Sequence, residues 1–310
     1  MSFKLLLIRT IFGIVNLFPI SWRIEFFALL IRIATFLLPR LKEAALINLE
    51  IVFPELSIAQ RLRILKDSSR SWGRMIVDVL RVHQMSDDWI KDNVEFPDLD
   101  RFREAIKKGD GKGALFLTAH FGSYELLVRF MPLFHKEIAF IARPLKPASL
   151  NEWWTRQRTK FGCTLIMRGG AIKKMIKLVR KGVDVGIVFD QNVTRKHAIF
   201  VDWFGLPAAT AKAPVKVAIS NKCPIVIFTM EYTLEGKYKI NMIARDYNQI
   251  YSDYAKSEKQ KVFIIAEQIA KDFEKLILKT PADWLWFHRR WKTAANPGEG
   301  RKIYSKREND

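Results

Sequence analysis

Cysteine is scarce. Cys163 and Cys223 are the only two in 310 residues, too few for a disulfide framework or a thiolate metal cluster. They stand in apolar, strand-like surroundings and read as reduced core residues, which suits a protein facing the cytosol. Acidic residues are also in deficit, at 32 Asp and Glu against 52 Lys and Arg, for a net charge of +20. A chain this basic seeks polyanions: nucleic acid, anionic lipid or phosphorylated substrates. Half of the excess lies between Ala139 and His197, with thirteen Lys and Arg against three Asp and Glu. Long uncharged runs are missing too. The longest in the apolar N-terminal stretch, Thr10 to Trp22, is thirteen residues, short of the roughly 20 that a clean bilayer span takes. There is no G-x-S-x-G elbow, no P-loop and no G-x-G-x-x-G, so the usual signatures of a serine hydrolase, a P-loop nucleotidase and a dinucleotide-binding unit are excluded. Internal repeats and low-complexity linkers are absent as well. Apolar residues are plentiful: at 49% they supply an ample core and argue against disorder.

Residues 3 to 39 are mostly apolar, interrupted by Arg9, Arg23, Glu25 and Arg32 and punctuated by Pro19 and Pro39. They read as a membrane-embedded or interfacial helical segment with snorkelling arginines; a buried helical hairpin of a soluble domain is the alternative. The segment lacks a small-residue cleavage site, which argues against a removed signal peptide. The expected organisation is a membrane anchor over 1–40, a single catalytic domain over 41–296 and a polar, frayed tail over 297–310. Within the domain, a short helix from Ala44 halts at Pro54. Ser57 with Gln60 predicts a capping box opening an amphipathic packing helix. From about Val94 strands alternate with helices. The strand candidates are Ala114–Thr118, Ile138–Ala142, Val183–Phe189 and Pro224–Met230. A helix over Ala171–Lys181 ends at Gly182, and its lysines could meet anionic headgroups or an acidic carrier protein. The fold class is therefore α/β, a central, largely parallel or mixed sheet flanked by helices, with ligands beyond the strand ends.

Six stretches carry candidate chemistry. In His120-Phe-Gly-Ser-Tyr-Glu125 a histidine at the end of a strand precedes a carboxylate about one turn on, and an oriented neutral imidazole can act as general base on a hydroxyl. Ala142-Arg143-Pro144 and Arg156-Gln-Arg158 offer guanidinium groups that can clamp an anionic substrate. Asp190-Gln191 follows a strand, where an acid and an amide can bind hydroxyls, order an arginine or cap a turn. In Phe204 to Thr210, small residues allow close backbone approach, and Thr210 can N-cap the helix entered at Ala211. Asp283-Trp-Leu-Trp-Phe-His288-Arg-Arg-Trp291 sets tryptophans beside arginines, as at a membrane interface or a ligand mouth. His288 is a second histidine, with only Asp283 near enough in sequence to orient it. H-x4-E does not place two metal ligands on one helical face, so no metal is expected.

Taken in order, these pieces resemble the bacterial lipid A biosynthesis acyltransferases, the lauroyl- and myristoyl-transferases within the lysophospholipid acyltransferase superfamily. The resemblance rests on the apolar N-terminus, Asn48-Leu-Glu-Ile-Val-Phe-Pro-Glu55, His120-x4-Glu125, Arg143-Pro144, Arg158-x3-Gly162, Asp190-Gln191, Phe204-Gly205 with Ala209-Thr210, and Trp286-x-His-Arg-Arg-Trp291. It implies a glycerolipid acyltransferase-like fold on the cytoplasmic face of the inner membrane. It also implies transfer of a fatty acyl chain from acyl carrier protein, or from acyl-CoA, to a hydroxyl on a lipid A precursor, with no bound cofactor. By resemblance His120 is the base and Glu125 its partner, and Arg143, Arg158, Asp190, Gln191 and Thr210 belong to the substrate site. Tyr124 departs from the tryptophan common before the acid. Anionic membrane lipid and acyl carrier protein are the expected partners, and nucleic acid is not. The rival expectations are a lysophospholipid, glycolipid or aminolipid acceptor, and a non-catalytic basic protein that only binds membranes.

Overall fold

The computed structural model describes residues 13, 16–134, 138–142, 144–167, 169–233, 235–296 and 303–304. Helix α1 (Ile20–Leu37) follows Pro19, and α2 (Pro39–Val52) begins on a proline, whose missing N–H is not needed in a first turn. Helix α3 (Ile58–Arg81) opens with the expected capping box: the Gln60 N–H donates to Ser57 Oγ, and the Ser57 N–H donates to Gln60 Oε1. The short helices α4 (Asp87–Asn93) and α5 (Leu99–Lys107) bracket strand β1 (Val94–Glu95). Then come β2 (Leu115–Gly122), a 3-10 turn over Tyr124–Leu126, α6 (Leu127–Phe134), β3 (Ile138–Ala142), α7 (Ala148–Thr159), β4 (Cys163–Met167), α8 (Ala171–Arg180) and β5 (Asp184–Val188). Strands β6 (Ala198–Trp203) and β7 (Leu206–Ala211) form an antiparallel hairpin. Helix α9 (Lys212–Asn221), β8 (Ile225–Tyr232), β9 (Tyr238–Arg245), α10 (Asn248–Ser252) and α11 (Glu258–Lys279) complete the domain.

The main sheet has seven strands in the order β1-β9-β8-β2-β5-β3-β4. All its pairings are parallel except β8 with β9. Because side chains alternate across a strand, both faces of the central strands are apolar and both are covered. Leu115, Leu117, Ala119 and Phe121 of β2 face one core with α8, α9 and α11, while Phe116 faces the other with Phe102, Phe130 and Phe228. The α/β sheet flanked by helices is as expected, and the four predicted strands are neighbours at its centre. Two differences bear on the site. Strand β2 runs through His120 to Gly122 instead of ending at the histidine, and its register on β8 shifts between Thr118 and Gly122. Strands β1, β4, β6, β7 and β9 had no counterpart among the predicted ones. Both cysteines are free and buried.

Helix α1 lies along α3. The contact is backbone to backbone: a Cβ on Gly73 would sit 2.6 Å from the Ile24 carbonyl oxygen. Ile24 and Ala28 are buried there, whereas Trp22, Phe26, Leu29, Leu30, Ile33 and Phe36 are exposed. Among the described residues no helix is long and apolar enough to cross a membrane. In the tail, Tyr304 is buried, unlike the frayed end expected from composition.

Candidate active site

Strands β2 and β5 lie side by side and parallel, with Thr118 opposite Val188. Two residues further along from each, His120 and Asp190 therefore meet at the C-terminal ends of these central strands. The Asp190 carboxylate holds the histidine twice. Oδ1 lies 2.8 Å from Nδ1 of the ring, and Oδ2 accepts the His120 backbone N–H at 3.0 Å. Oδ2 also takes the Trp284 indole N–H at 2.9 Å. A carboxylate at Nδ1 puts the imidazole proton there and leaves Nε2 as the acceptor. Gln191 Nε2 occupies that acceptor at 3.2 Å. The His120 side chain keeps 17% exposure and that of Asp190 only 3%, so the ring is reachable and its anchor is not.

The electrostatics follow from this pairing. Burial alone would lower the His120 pKa. The Asp190 charge and hydrogen bond, with a smaller contribution from Glu125, outweigh burial and hold it above the usual 6.5. For Asp190, burial would raise the pKa, but the His120 charge and the hydrogen bonds from His120 and Trp284 bring it below the ordinary carboxylate value. Both shifts describe one ionised carboxylate facing one basic imidazole.

Glu125 does not hold the ring, contrary to the role expected for it. Its two oxygens accept from Arg158 Nη2 at 2.6 and 2.8 Å. The physical reason is local: Tyr124–Leu126 forms a 3-10 turn, which aims the carboxylate at α7. The Tyr124 ring stands between, its centroid 5.0 Å from that of His120 and 6.2 Å from that of Trp72. Burial, reinforced by the Glu125 charge, raises the Tyr124 pKa well above its ordinary value, so its hydroxyl stays protonated.

The glycine and serine of the same stretch fasten it in place. Gly122 has φ +52°, and a Cβ there would lie 2.1 Å from the Met230 carbonyl oxygen, so only glycine fits. That oxygen accepts the Ser123 N–H at 3.2 Å. Ser123 Oγ donates to Asp78 Oδ2 at 2.6 Å. Asp78, fully buried on α3, also accepts from Tyr238 and Arg81. Burial raises its pKa, against the pull of Arg81, Ser123 and Tyr238.

Thr210 is not an N-cap. It is the buried fifth residue of β7, and α9 begins after Ala211 with no side-chain cap. Its hydroxyl accepts from Arg290 at 2.6 Å. Arg290 is itself fully buried, donates to the Ala209 carbonyl and lies over the Trp203 ring at 4.3 Å. Burial pushes its pKa down to about 10, and the Asp190 charge opposes that fall. His288 accepts the Asn192 N–H at 2.9 Å through Nε2, while Asp283 turns to Ser71. Neither histidine is therefore oriented by the acid in its own stretch. Arg143 lies outside the described residues.

The structure thus brings His120, Asp190 and Gln191 together, with Glu125 and Arg158 one residue of ring away. Thr210 sits behind Asp190 with Arg290. Trp284, Arg290 and Asp78 were not singled out from sequence. The first two lay in a stretch already marked by its tryptophans and arginines, whereas Asp78 gave no signal beyond one acid in an amphipathic helix.

Residues 3–293 match the family model described as bacterial lipid A biosynthesis acyltransferase. The chain is 26% identical to the lipid A biosynthesis acyltransferase of Haemophilus influenzae over 79% of its length and 76% of that protein. It is 26% identical to the lipid A biosynthesis palmitoleoyltransferase of Escherichia coli over 83% of this chain and 80% of the relative. It is 25% identical to the lipid A biosynthesis lauroyltransferase of the same organism over 79% and 77%.

Proposed function

The chain belongs to the bacterial lipid A biosynthesis acyltransferase family, and from that premise we propose that it moves a fatty acyl chain from acyl carrier protein to the hydroxyl of a hydroxyacyl chain on a Kdo-bearing lipid A precursor. The observation that carries this reading is a partly exposed imidazole whose Nδ1 is held by a buried carboxylate at the end of parallel strands.

In this mechanism the acceptor hydroxyl displaces Gln191 from His120 Nε2. As its oxygen attacks the thioester carbonyl, the proton passes to Nε2. Asp190 stabilises the imidazolium without moving. Collapse of the tetrahedral intermediate breaks the C–S bond, and the imidazolium proton goes to the departing thiolate of the carrier. One ester forms, one thiol is released and the base is restored. No covalent enzyme intermediate is needed. Glu125 and Arg158 form the adjoining wall and hold the turn that carries Tyr124. Nε and Nη2 of Arg158 donate to Glu125, which suits a wall better than a phosphate clamp.

The exposed apolar side of α1 supports a membrane location. Eight large apolar side chains open on one helix exceed what a soluble monomer usually leaves uncovered. With a net charge of +20, that surface suits the anionic cytoplasmic face of the inner membrane, α1 lying in the interface.

The test is transfer of a radiolabelled acyl group from acyl carrier protein to the tetra-acylated precursor in detergent, with wild type beside His120→Ala. Turnover should fall by roughly 10²–10⁴-fold, the usual contribution of a general base, with the circular dichroism spectrum unchanged. Near-normal transfer by the variant would remove His120 as base. Transfer by wild type to a lysophospholipid but not to the precursor would replace the acceptor.

A further inference from the structure

Attack on a thioester puts negative charge on the carbonyl oxygen, and a donor aimed at that oxygen matters as much as a base. Both groups stand within about 3 Å of the reacting atoms when they act. Most polar hydrogens around the His120 ring are already committed. The His120 N–H and the Trp284 indole N–H go to Asp190. The Ser123 N–H goes to the Met230 carbonyl, and the Leu285 N–H to the His120 carbonyl. The Asn192 N–H goes to His288 Nε2. The Tyr124 hydroxyl is turned to Glu125, as are Nε and Nη2 of Arg158. The Gln191 amide differs. Among the described residues its one hydrogen bond is to Nε2 of the ring itself, at 3.2 Å. Asp190 keeps the ring proton on Nδ1, so Nε2 is an acceptor and the amide presents its nitrogen there.

We propose that Gln191 is the oxyanion donor of the acyl transfer. The inference rests on the acyl-transfer function proposed above. When the acceptor hydroxyl takes the place of the amide at Nε2, the amide N–H is set free beside the carbonyl carbon under attack. As the new C–O bond forms, the carbonyl π pair moves onto oxygen, and Gln191 donates a hydrogen bond to that oxygen. Nothing leaves the amide. The hydroxyl proton goes to Nε2, and when the pair returns to carbon the C–S bond breaks and the amide regains the ring. A neutral donor also suits this place, because a cation there would make the imidazole a weaker base. The chain that carries Gln191 is fixed on both sides. Before it, Asp190 is held by His120 and Trp284. After it, Asn192 donates to Thr293 Oγ1 and accepts the Thr293 N–H, each at 3.1 Å, and the Val193 N–H donates to the Ala209 carbonyl. A donor on backbone fixed in advance needs little reorganisation as the charge develops.

The experiment measures kcat and both KM values for transfer from lauroyl acyl carrier protein to the tetra-acylated precursor, on the pH plateau, and also the release of free laurate. Wild type is compared with Gln191→Met, which keeps the length of the side chain without an N–H, and Gln191→Glu, whose carboxylate repels the developing charge. In Gln191→Met, kcat should fall by roughly 10²–10³-fold, the usual cost of one lost oxyanion donor. KM for donor and acceptor should stay as in wild type, the mark of an interaction made only in the transition state. Gln191→Glu should fall at least as far. Thermal unfolding should match wild type, because Gln191 is only partly buried. An unchanged kcat in Gln191→Met would overturn the proposal. A rise confined to the acceptor KM would make Gln191 a binding residue and overturn it. Sustained transfer with faster laurate release would mean that the amide only shields Nε2 from water, and would overturn it too. In these three outcomes wild type still transfers, so the reaction stands and the role of Gln191 alone is lost. No transfer by folded wild type would remove the reaction and this role with it.

Discussion

To act as the proposed base, His120 must be neutral before it can accept a proton, and its neighbours oppose that. Asp190 first, and Glu125 more weakly, hold the imidazole pKa above 6.5 against the effect of burial. Activity should therefore fall as pH drops through a midpoint above 6.5. The same pair acts on stability with the opposite sense. Its contribution is fully present below the unfolded value near 6.5 and is lost as pH rises through the higher folded value. Asp190→Asn removes the charge. The acid limb of the kcat/KM profile should move to lower pH, while the plateau falls by roughly 10²–10⁴-fold because the ring loses its orientation. A limb that stays in place would mean that some other charge governs the imidazole. The residue that does this work stands seventy positions from the histidine, and no spacing rule in the sequence links the two. What was readable was an acid and an amide just past an apolar strand.

At the scale of elements, α1 and α3 form the unit that couples surface to site. One side of α1 is pressed onto Gly73 of α3, with Ile24 and Ala28 buried in the contact. The same α3 carries Asp78, which holds Ser123 in the turn after His120. The other side of α1 is open hydrocarbon. Leu29→Glu with Ile33→Glu should weaken sedimentation with anionic vesicles by about tenfold or more per residue, since burying one such side chain is worth about 1.5–3 kcal/mol. Thermal stability should change little, because these positions are exposed in the fold. Unchanged vesicle binding would place the membrane contact elsewhere. The apolar character of this region was plain from sequence. Which side of the helix packs and which stays open was not, because apolar residues occur all round it.

At the scale of the molecule, α2 is joined to the segment after α11 and to Tyr304 behind the site. Asn48 donates to the carbonyls of Trp286 and His288 at 2.6 and 2.7 Å, and Tyr304 donates to Asn48 Oδ1 at 2.6 Å. The Tyr304 oxygen also accepts the Trp291 N–H at 3.2 Å. This clamp holds the segment whose Trp284 and Arg290 support Asp190 and Thr210. Tyr304→Phe would strand a fully buried amide oxygen, so the free energy of unfolding should fall by about 1–3 kcal/mol, measured in denaturant. A smaller change in activity should accompany it, because the clamp acts through Trp284. No loss of stability would mean that the tail is only draped over the surface.

The apolar runs around Ala114, Ile138, Val183 and Pro224 determined by themselves that four strands pack at the centre of an α/β sheet, because strands covered on both faces must be continuously hydrophobic. The capping box at Ser57 and the glycine closing α8 were equally local. Strand β9 and the β6–β7 hairpin escaped because they pair at the periphery, where polar residues interrupt the hydrophobic signal. The histidine was legible as a candidate base, since a short stretch carries it. Its partner was decided only by the tertiary structure. Strand order sets β5 beside β2, and register then carries Asp190 to Nδ1 of the ring, while a tight turn sends Glu125 to Arg158 instead. Adjacency of strands distant in sequence arises from packing, so no reading of the residues in order could have chosen between the two acids.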